Sequence, residues 1–319
     1  MTRTFIPQPV LDAAHARAAA RGSGDWATAD RLRSEIEAAG WRVVDAGTDF
    51  RLELLHPPDV DVDGTVRYGR TSVVPSRLDH PSTGLATIII PAGDHAADLE
   101  RAIRSVRAYA TDGVDLVVIA DGPAPAVAEA LGSRAGEVEV VTTSERLGTG
   151  AAWNIGLRRA TGDVVVLMDP SIELLGDVVA PLAAALRDPA VAVAGPFGLR
   201  SDDLRRFDEQ TAAGPVSAIE GYLMAFRRAD VAGRGPIDEG FRFYRNLDIW
   251  WSLVLRDEGT DKPPRRALVV ADLPLARHEH RGWTALEPAE RDRLSKRNFY
   301  RLLDRFRDRP DLAVPGEAG

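Results

Sequence analysis

Apolar residues recur at helical spacing in the first forty positions of the chain. The two runs are separated by Gly22-Ser23-Gly24, and their apolar positions are Leu11, Ala14 and Ala18, then Trp26, Ala29, Leu32 and Ile36. Side chains three and four residues apart lie on one face of a helix, and glycine interrupts helices. The pattern predicts a helical hairpin, followed by short strands at residues 41–44 and 50–55.

A different pattern begins at residue 86. Short apolar runs rich in valine and isoleucine alternate with amphipathic segments; the runs are ATIIIP (86–91), DLVVIA (115–120), EVEVV (137–141) and DVVVLMD (163–169). Helices are predicted between them at residues 97–110, near Val127 and at 151–159. This alternation is typical of βαβ units with a parallel sheet, so we expect an α/β fold.

The region between these two patterns contains several prolines, glycines and aspartates and shows little periodicity. Such composition is typical of connecting segments. We therefore divide the chain into a helical hairpin with short strands (residues 1–55), a linker (56–84), a large α/β domain (85–305) and a tail (306–319).

Composition narrows the classes of protein. The 319 residues are 45% hydrophobic and 28% charged, which is typical of a globular protein, and there is no cysteine. Disulfides, thiolate metal sites and cysteine nucleophiles are therefore excluded. The formal net charge of -8 argues against a broad nucleic-acid-binding face. No stretch approaches the roughly 20 apolar residues that span a bilayer, so we expect a cytoplasmic enzyme without a membrane span.

Candidate ligand-binding residues follow the predicted strands. Pro91 ends the first strand, Asp121 follows the second and Asp169 follows the fourth. In open α/β sheets, ligands bind at the carboxyl ends of the strands. Asp121 could accept a hydrogen bond from an imide N–H of a nucleobase, or it could simply form the turn with the Gly-Pro that follows. A turn is also the alternative for Asp169.

Three segments together resemble the inverting family 2 glycosyltransferases, which have the GT-A fold, over about residues 86–300. TIIIPAGDHAADLERAIRSV is similar to the family's first strand and helix, DLVVIADGPAP to its nucleotide-binding strand, and ERLGTGAAWNIGLRRATGDVVVLMDPSIEL to its run into the metal-binding turn. The resemblance implies a Rossmann-like mixed sheet flanked by helices. It also implies a hexosyltransferase-type enzyme that moves a sugar from a nucleotide-diphosphate donor to an acceptor hydroxyl with inversion.

The resemblance assigns roles to the strand-end residues. Pro91 and Asp121 are expected to bind the donor, Asp121 through the base, and Asp169 opens the equivalent of the family's Asp-x-Asp motif. That motif holds Mn²⁺ or Mg²⁺ against the diphosphate, and its last position is Ser171 in this chain. Hard oxygen ligands suit both cations. We expect Asp169 to bind donor and metal, with Glu173 as an alternative ligand.

The segment IEGYLMAFRRADVAGRGPIDEGFRFYRNLDIWWSLVLRDEG is similar to the family's acceptor-side region. Its Glu-Asp pair falls on Leu247 and Asp248, which implies that Asp248 is the catalytic base. Inversion needs a carboxylate that takes the proton of the acceptor hydroxyl. The alternative interpretation is a helix N-cap, since Asn246 and Asp248 are good capping residues.

The sequence LPLARHEHRGW contains two histidines two residues apart, which would place both rings on one side of an extended segment. The family often has a metal-binding histidine in this region. We expect His280 to complete the metal site, with His278 as the alternative, or a surface pattern without ligand. Arg281 and Trp283 are expected to bind the donor by charge and by stacking.

Residues 13–53 resemble the C-terminal helical subdomain of cysteinyl-tRNA synthetases. The resemblance implies that RNA could be contacted through arginines 17, 21, 31, 33 and 42, but interspersed acidic residues favour packing or protein contacts. Ser171 and Leu247 favour an alternative for the whole chain, a catalytically degenerate nucleotide-binding or RNA-associated interaction module.

Overall fold

The computed structural model describes residues 5–47, 49–134 and 136–315. The chain forms two compact units, with the boundary between Arg70 and Thr71. Residues 1–4 of the predicted hairpin segment and 316–319 of the predicted tail lie outside the described residues.

The first unit contains the predicted helical hairpin. Its elements are α1 (Gln8–Gly22), α2 (Trp26–Ala38), β1 (Trp41–Ala46), β2 (Asp49–Leu54), β3 (Val60–Val62) and β4 (Thr65–Arg67). Asp25 caps α2 by accepting a hydrogen bond from the Thr28 N–H, which satisfies one of the free donors of the first turn. Val10, Ile36 and Trp41 form part of the small core that joins the hairpin to β1. The pair β3–β4 lies within the predicted linker.

The arginines that could contact RNA all form ion pairs within this unit. Arg17 and Arg21 bind Asp45, and the remaining pairs are Arg31–Glu35, Arg33–Glu37 and Arg42–Glu53. Arg17 is also only 6% exposed. Their charges are therefore largely neutralised inside the unit, as the interspersed acidic residues predict.

The second unit begins with a 3-10 helix at Thr71–Val73 and contains the remaining strands and helices. In chain order they are β5 (Gly84–Pro91), α3 (Ala96–Tyr109), β6 (Val114–Ala120), α4 (Pro125–Gly132), β7 (Glu139–Thr142), α5 (Thr149–Arg159), β8 (Gly162–Met168), β9 (Ile172–Leu174), α6 (Val179–Ala185), β10 (Val191–Gly195), β11 (Gly198–Arg200), β12 (Asp208–Gln210), β13 (Gly214–Val216), β14 (Ala218–Ile219), β15 (Leu223–Arg227), α7 (Arg228–Arg234), α8 (Leu247–Arg256), β16 (Arg266–Val269), β17 (Leu275–Arg277), α9 (Arg281–Thr284) and α10 (Pro288–Phe306).

The centre of this unit is an eight-stranded mixed sheet in the order β13-β16-β10-β15-β8-β5-β6-β7. The strands β8, β5, β6 and β7 are parallel, and they correspond to the four apolar runs of the sequence. β15 is antiparallel to both β8 and β10. The predicted α/β architecture is confirmed.

Helices cover the parallel strands because both faces of these strands are apolar. Ile88 and Ile90 of β5 share a core with Leu99 and Ile103 of α3. On α5, a Cβ added to Gly156 would lie 2.3 Å from Cγ2 of Ile89, so the helix and strand can approach this closely only with glycine. The tight packing fixes the carboxyl ends of β5, β6 and β8.

The end of the chain is tied to α8 through a buried arginine. Arg256, which is 3% exposed, donates hydrogen bonds of 2.6 Å to the carbonyl oxygens of both Ser217 and Leu312. Burial lowers the pKa of this guanidinium to about 10. Leu312 belongs to a 3-10 helix at Pro310–Leu312, beyond α10. Among the helices of the described ranges, none has the length and apolar character needed to cross a membrane.

Candidate active site

A cavity of about 390 Å³ opens in the second unit where β5, β6 and β8 end. It is lined by Pro91, Asp121 and Asp169 from these strand ends. Because β8, β5 and β6 are neighbours in the sheet, their carboxyl ends meet at one edge. The cavity is also lined by Asp248, His280 and Arg281, which come from a distant part of the chain.

Asp121 organises the turn that follows β7. Its Oδ1 accepts hydrogen bonds from the Leu147 N–H (2.7 Å) and the Thr143 hydroxyl (2.9 Å), and its Oδ2 accepts one from the Gly148 N–H (2.8 Å). A carboxylate oxygen can accept about two hydrogen bonds. All three of these hydrogen bonds come from the turn, as the turn interpretation predicts. Oδ2 can still accept one more hydrogen bond, from a donor in the cavity.

Near Asp121, an ion pair forms part of the cavity wall. Arg146 donates to both carboxylate oxygens of Asp94, one of them at 3.0 Å, and both residues line the cavity. The hydrogen bond from Arg146 lowers the pKa of the Asp94 carboxyl. Asp94 follows the first predicted strand, but nothing in the sequence indicated its partner 52 residues away.

Asp169 and His280 meet across the cavity. The Asp169 Oδ2 and His280 Nε2 atoms are 3.2 Å apart, while Oδ1 accepts hydrogen bonds from the Ser171 N–H and hydroxyl at 2.8 and 2.5 Å. Burial would raise the pKa of Asp169, but the hydrogen bond and charge of His280 outweigh it and lower the pKa. Asp169 is therefore held as a carboxylate.

His280 is oriented by the helix that it precedes. Its Nδ1 accepts a hydrogen bond of 3.1 Å from the Trp283 N–H, so the ring caps α9. Because Nδ1 is an acceptor, Nε2 carries the proton that faces Asp169. Burial opposes protonation of the ring, but Asp169 outweighs it and raises the pKa of His280.

Asp248 lies in the first turn of α8. Its Oδ2 accepts a hydrogen bond from the Gly221 N–H and its Oδ1 accepts one from the Ile249 N–H, both at 2.9 Å. Burial raises the pKa of Asp248 in spite of these hydrogen bonds. The residue at the N-cap is Asn246, whose side chain makes no capping hydrogen bond.

The other predicted site residues divide into two groups. Arg281 lines the cavity, and its Nε lies 3.5 Å from Oδ2 of the buried Asp98. Glu173 and His278 bind each other at 2.8 Å on the pair β9–β17 and do not line the cavity. Trp283 is also absent from the cavity wall.

Trp283 contacts two arginines instead. The guanidinium carbons of Arg245 and Arg291 are 5.4 and 5.0 Å from the centre of its ring. Arg245 itself lines the cavity. Trp283 therefore contacts a residue of the cavity wall without lining the cavity itself, and its stacking on a sugar stays a prediction.

Sequence reasoning missed three groups in the cavity wall: Asp98, Glu220 and the aromatic residues Tyr222 and Tyr244. Burial and the charge of Asp248 raise the pKa of Glu220 to about 7. The Tyr244 ring lies 4.5 Å from that of His280. Glu220 lies shortly before the apolar strand β15, which is only a weak sign of a site residue. Asp98 lies in the first turn of α3, where acidic residues are common without any role in a site.

The comparisons with known proteins point to one family. A family model for glycosyl transferase family 2 matches residues 87–246, which is half of the chain. No curated protein matches the chain.

Solved structures with a similar fold include glycosyltransferases. GalNAc-T7, solved with UDP, GalNAc and Mn²⁺, has a TM-score of 0.55 at 17% identity over 73% of this chain and 49% of its own. The mannosyltransferase PcManGT from Pyrobaculum calidifontis, with GDP-Man and Mn²⁺, has a TM-score of 0.48 at 21% identity over 67% and 62%. S. aureus TarS has 0.48 at 14% over 70% and 44%. The match spans less than two thirds of each of these chains.

Proposed function

The chain belongs to glycosyl transferase family 2, and from this premise we propose that it moves a sugar from a nucleotide-diphosphate donor to an acceptor hydroxyl with inversion. One observation carries the proposal: Asp121, Asp169 and Asp248, far apart in the sequence, line a single cavity. The GT-A fold with its N-terminal helical hairpin is confirmed. We propose that residues 85–305 form the transferase domain.

The donor would lie along the ends of β5, β6 and β8. Pro91 lines this part of the cavity, and the free acceptor position of the Asp121 Oδ2 would receive an N–H of the base. Arg281 would face the diphosphate, since it lines the cavity on the side of Asp169 and His280. A guanidinium binds phosphate oxygens well because its donors match their geometry.

To bind a divalent cation beside Asp169, His280 would have to move its ring proton from Nε2 to Nδ1, and Nδ1 would then no longer accept a hydrogen bond from the Trp283 N–H. Carboxylate oxygen and imidazole nitrogen are suitable donors for Mn²⁺, and the two Ser171 hydrogen bonds fall on Oδ1, which leaves Oδ2 directed toward His280. Within the described residues no group of three or more potential ligands is present. Mg²⁺ and Mn²⁺ sites commonly take further ligands from substrate phosphates and water. The cation would stabilise the charge of the leaving diphosphate.

Asp248 would take the proton of the attacking acceptor hydroxyl. A general base of this kind contributes roughly 100- to 10,000-fold to a rate. Burial raises its pKa, which makes it a stronger base than an exposed aspartate. The hydrogen bond from the Gly221 N–H fixes one of its oxygens in the cavity.

A panel of UDP- and GDP-sugars with Mn²⁺ tests the proposal by measuring donor hydrolysis and transfer. We expect Asp248→Asn to abolish turnover while nucleotide binding persists, and Asp272→Asn to behave as wild type. Asp272 is exposed and has a left-handed backbone that asparagine also adopts, so it is a matched control. Nucleotide binding without turnover of any donor would instead support the degenerate binding module.

A further inference from the structure

Glu220 is a half-buried carboxylate in the cavity wall, whereas Glu279, the other carboxylate of the wall without a partner among the described residues, is exposed. Glu220 connects β14 to β15 and is half-buried, and its side chain forms no hydrogen bond or ion pair with the described residues. Its oxygens are not among the fully buried side-chain atoms without a partner, so they are accessible from the cavity. A ligand in the cavity could therefore bind the Glu220 carboxylate directly.

The backbone places Glu220 firmly beside the proposed base. Its N–H donates a hydrogen bond of 2.8 Å to the Phe197 carbonyl, and the next N–H, that of Gly221, donates to Asp248. A Cβ added to Gly221 would lie 3.2 Å from the Asp248 Cβ, so the two segments are in close contact. Two carboxyl groups are thus presented to the same end of the cavity.

The charges around Glu220 describe what could bind there. Asp248 and Glu209 act on it as like charges, and Arg277 and Arg245 as opposite charges. Both arginines are stacked on aromatic rings, Arg277 at 4.6 Å from the centre of Tyr222 and Arg245 on Trp283, and neither is bonded to Glu220. A neutral hydroxyl suits this mixed setting, because it can donate a hydrogen bond to a carboxylate and accept one from an arginine.

We propose that Glu220 binds a second hydroxyl of the acceptor, beside the hydroxyl whose proton Asp248 takes. The acceptor is then a polyol such as a sugar, rather than a molecule with a single hydroxyl. This inference rests on the proposed transferase function, since it takes the Asp248 end of the cavity as the acceptor side.

The test compares transfer to methyl α-D-glucopyranoside, its monodeoxy derivatives and 1-propanol by wild type, Glu220→Ala and Glu220→Gln. Hydrogen bonds to charged groups are strong enough that we expect the KM for the polyol to rise roughly 10- to 100-fold in Glu220→Ala. Glu220→Gln should lose less, because its amide oxygen still accepts. The donor KM should not change, transfer to 1-propanol should fall much less than transfer to the polyol, and one monodeoxy derivative should show the same KM with wild type and Glu220→Ala.

Glu209→Gln is the control, because it removes a neighbouring negative charge from an exposed residue outside the cavity wall. An unchanged polyol KM in Glu220→Ala, or an equal loss with 1-propanol, would overturn the inference. If wild type neither hydrolyses nor transfers any donor, the proposed function fails instead. In that case the inference is tested by binding alone: saturation-transfer NMR measures binding of the methyl glucoside in the presence of UDP or GDP. The inference is wrong if Glu220→Ala binds the glucoside as wild type does.

Discussion

The backbone N–H of Gly221 donates a hydrogen bond of 2.9 Å to Oδ2 of Asp248. This bond joins the segment before β15 to the first turn of α8, across 27 residues of sequence. The proposed base is therefore held by the backbone of a glycine. The position of Asp248 therefore depends on the absence of a Cβ at residue 221.

Replacing Gly221 with alanine should lower transfer without unfolding the protein. The new Cβ would lie 3.2 Å from the Asp248 Cβ and 3.5 Å from a ring carbon of Trp153, so Asp248 must shift by a few tenths of an ångström. Misplacement of a catalytic group by about 1 Å can cost roughly 100-fold, so we expect a loss of about tenfold in kcat. Gly233→Ala is the control, because nothing lies within 4 Å of its added Cβ. Equal kcat values for the two variants would contradict this role of Gly221.

The pH dependence should reflect the raised pKa of Asp248. The base acts as a carboxylate, so activity falls as pH drops through its pKa. Burial raises that pKa, and the acidic limb should therefore lie above the ordinary aspartate value of about 3.9. Profiles of kcat/KM against pH, measured with a donor that is transferred, check this. A limb at or below the ordinary value would show that Asp248 is not the base.

The same shift predicts an effect on stability. Because the folded-state pKa of Asp248 lies above its unfolded value, ionisation of the folded protein costs free energy once the pH exceeds the unfolded pKa. Asp248→Asn removes this cost, about 1.4 kcal/mol for each unit by which the two pKa values differ. The amide that replaces the Asp248 carboxylate also leaves the N–H of Gly221 or Ile249 without an acceptor, a cost that does not depend on pH. We therefore expect the Tm of the variant, taken relative to wild type, to be higher at pH 7 than at pH 4. Thermal unfolding at both pH values measures this difference, and a relative Tm that does not rise with pH would contradict it.

The two histidines of the loop between β17 and α9 should differ in metal binding. His280 faces Asp169 inside the cavity, whereas His278 is bonded to Glu173 outside its wall. We expect His280→Ala to weaken Mn²⁺ binding by about tenfold or more, since losing even a residue that supports a metal ligand costs roughly 10- to 100-fold. His278→Ala should bind Mn²⁺ as wild type does. Calorimetric titration of Mn²⁺ in the presence of UDP or GDP distinguishes them, and equal affinities would remove His280 from the site.

Replacing Asp121 should affect stability as well as nucleotide binding. In Asp121→Ala the N–H groups of Leu147 and Gly148 lose their acceptor, whereas the hydroxyl of Thr143 can still donate to the Glu145 carbonyl. An unsatisfied buried donor costs about 1–3 kcal/mol, so the Tm should fall and nucleotide affinity should fall with it. Asp112→Asn is the control. Asp112 is exposed and lies just before β6, and its replacement should change neither the Tm nor the nucleotide affinity. A variant with normal Tm and reduced affinity would mean that Asp121 contacts the base without ordering the turn.

The parallel part of the fold could be predicted because its signals are local. The four apolar runs became β5, β6, β7 and β8, and the predicted helices between them formed with small changes in their ends. Strand-end residues could be predicted for the same reason, since adjacency in a parallel sheet follows from βαβ order. The later strands β10, β13 and β16 are short and pair with partners far along the chain, and no pattern in the sequence announced their order.

The acceptor side of the cavity was less accessible to sequence reasoning. Glu220 and Gly221 matter because of what lies across from them, and the spacing of residues carries no information on such contacts. The ion pair between Asp94 and Arg146 is another contact that residue spacing cannot predict. The choice between His278 and His280 could not be made from spacing either, since the capping of α9 by the His280 ring sets its direction.

The buried guanidinium of Arg256 indicates a structural role for residues 310–312, which lie beyond α10. Arg256 lies in the last turn of the helix whose first turn carries Asp248, and its hydrogen bond to the Leu312 carbonyl holds residues 310–312 against that helix. Removing these residues would leave the buried guanidinium with one acceptor fewer. Any shortened form of the protein should therefore retain residues 310–315.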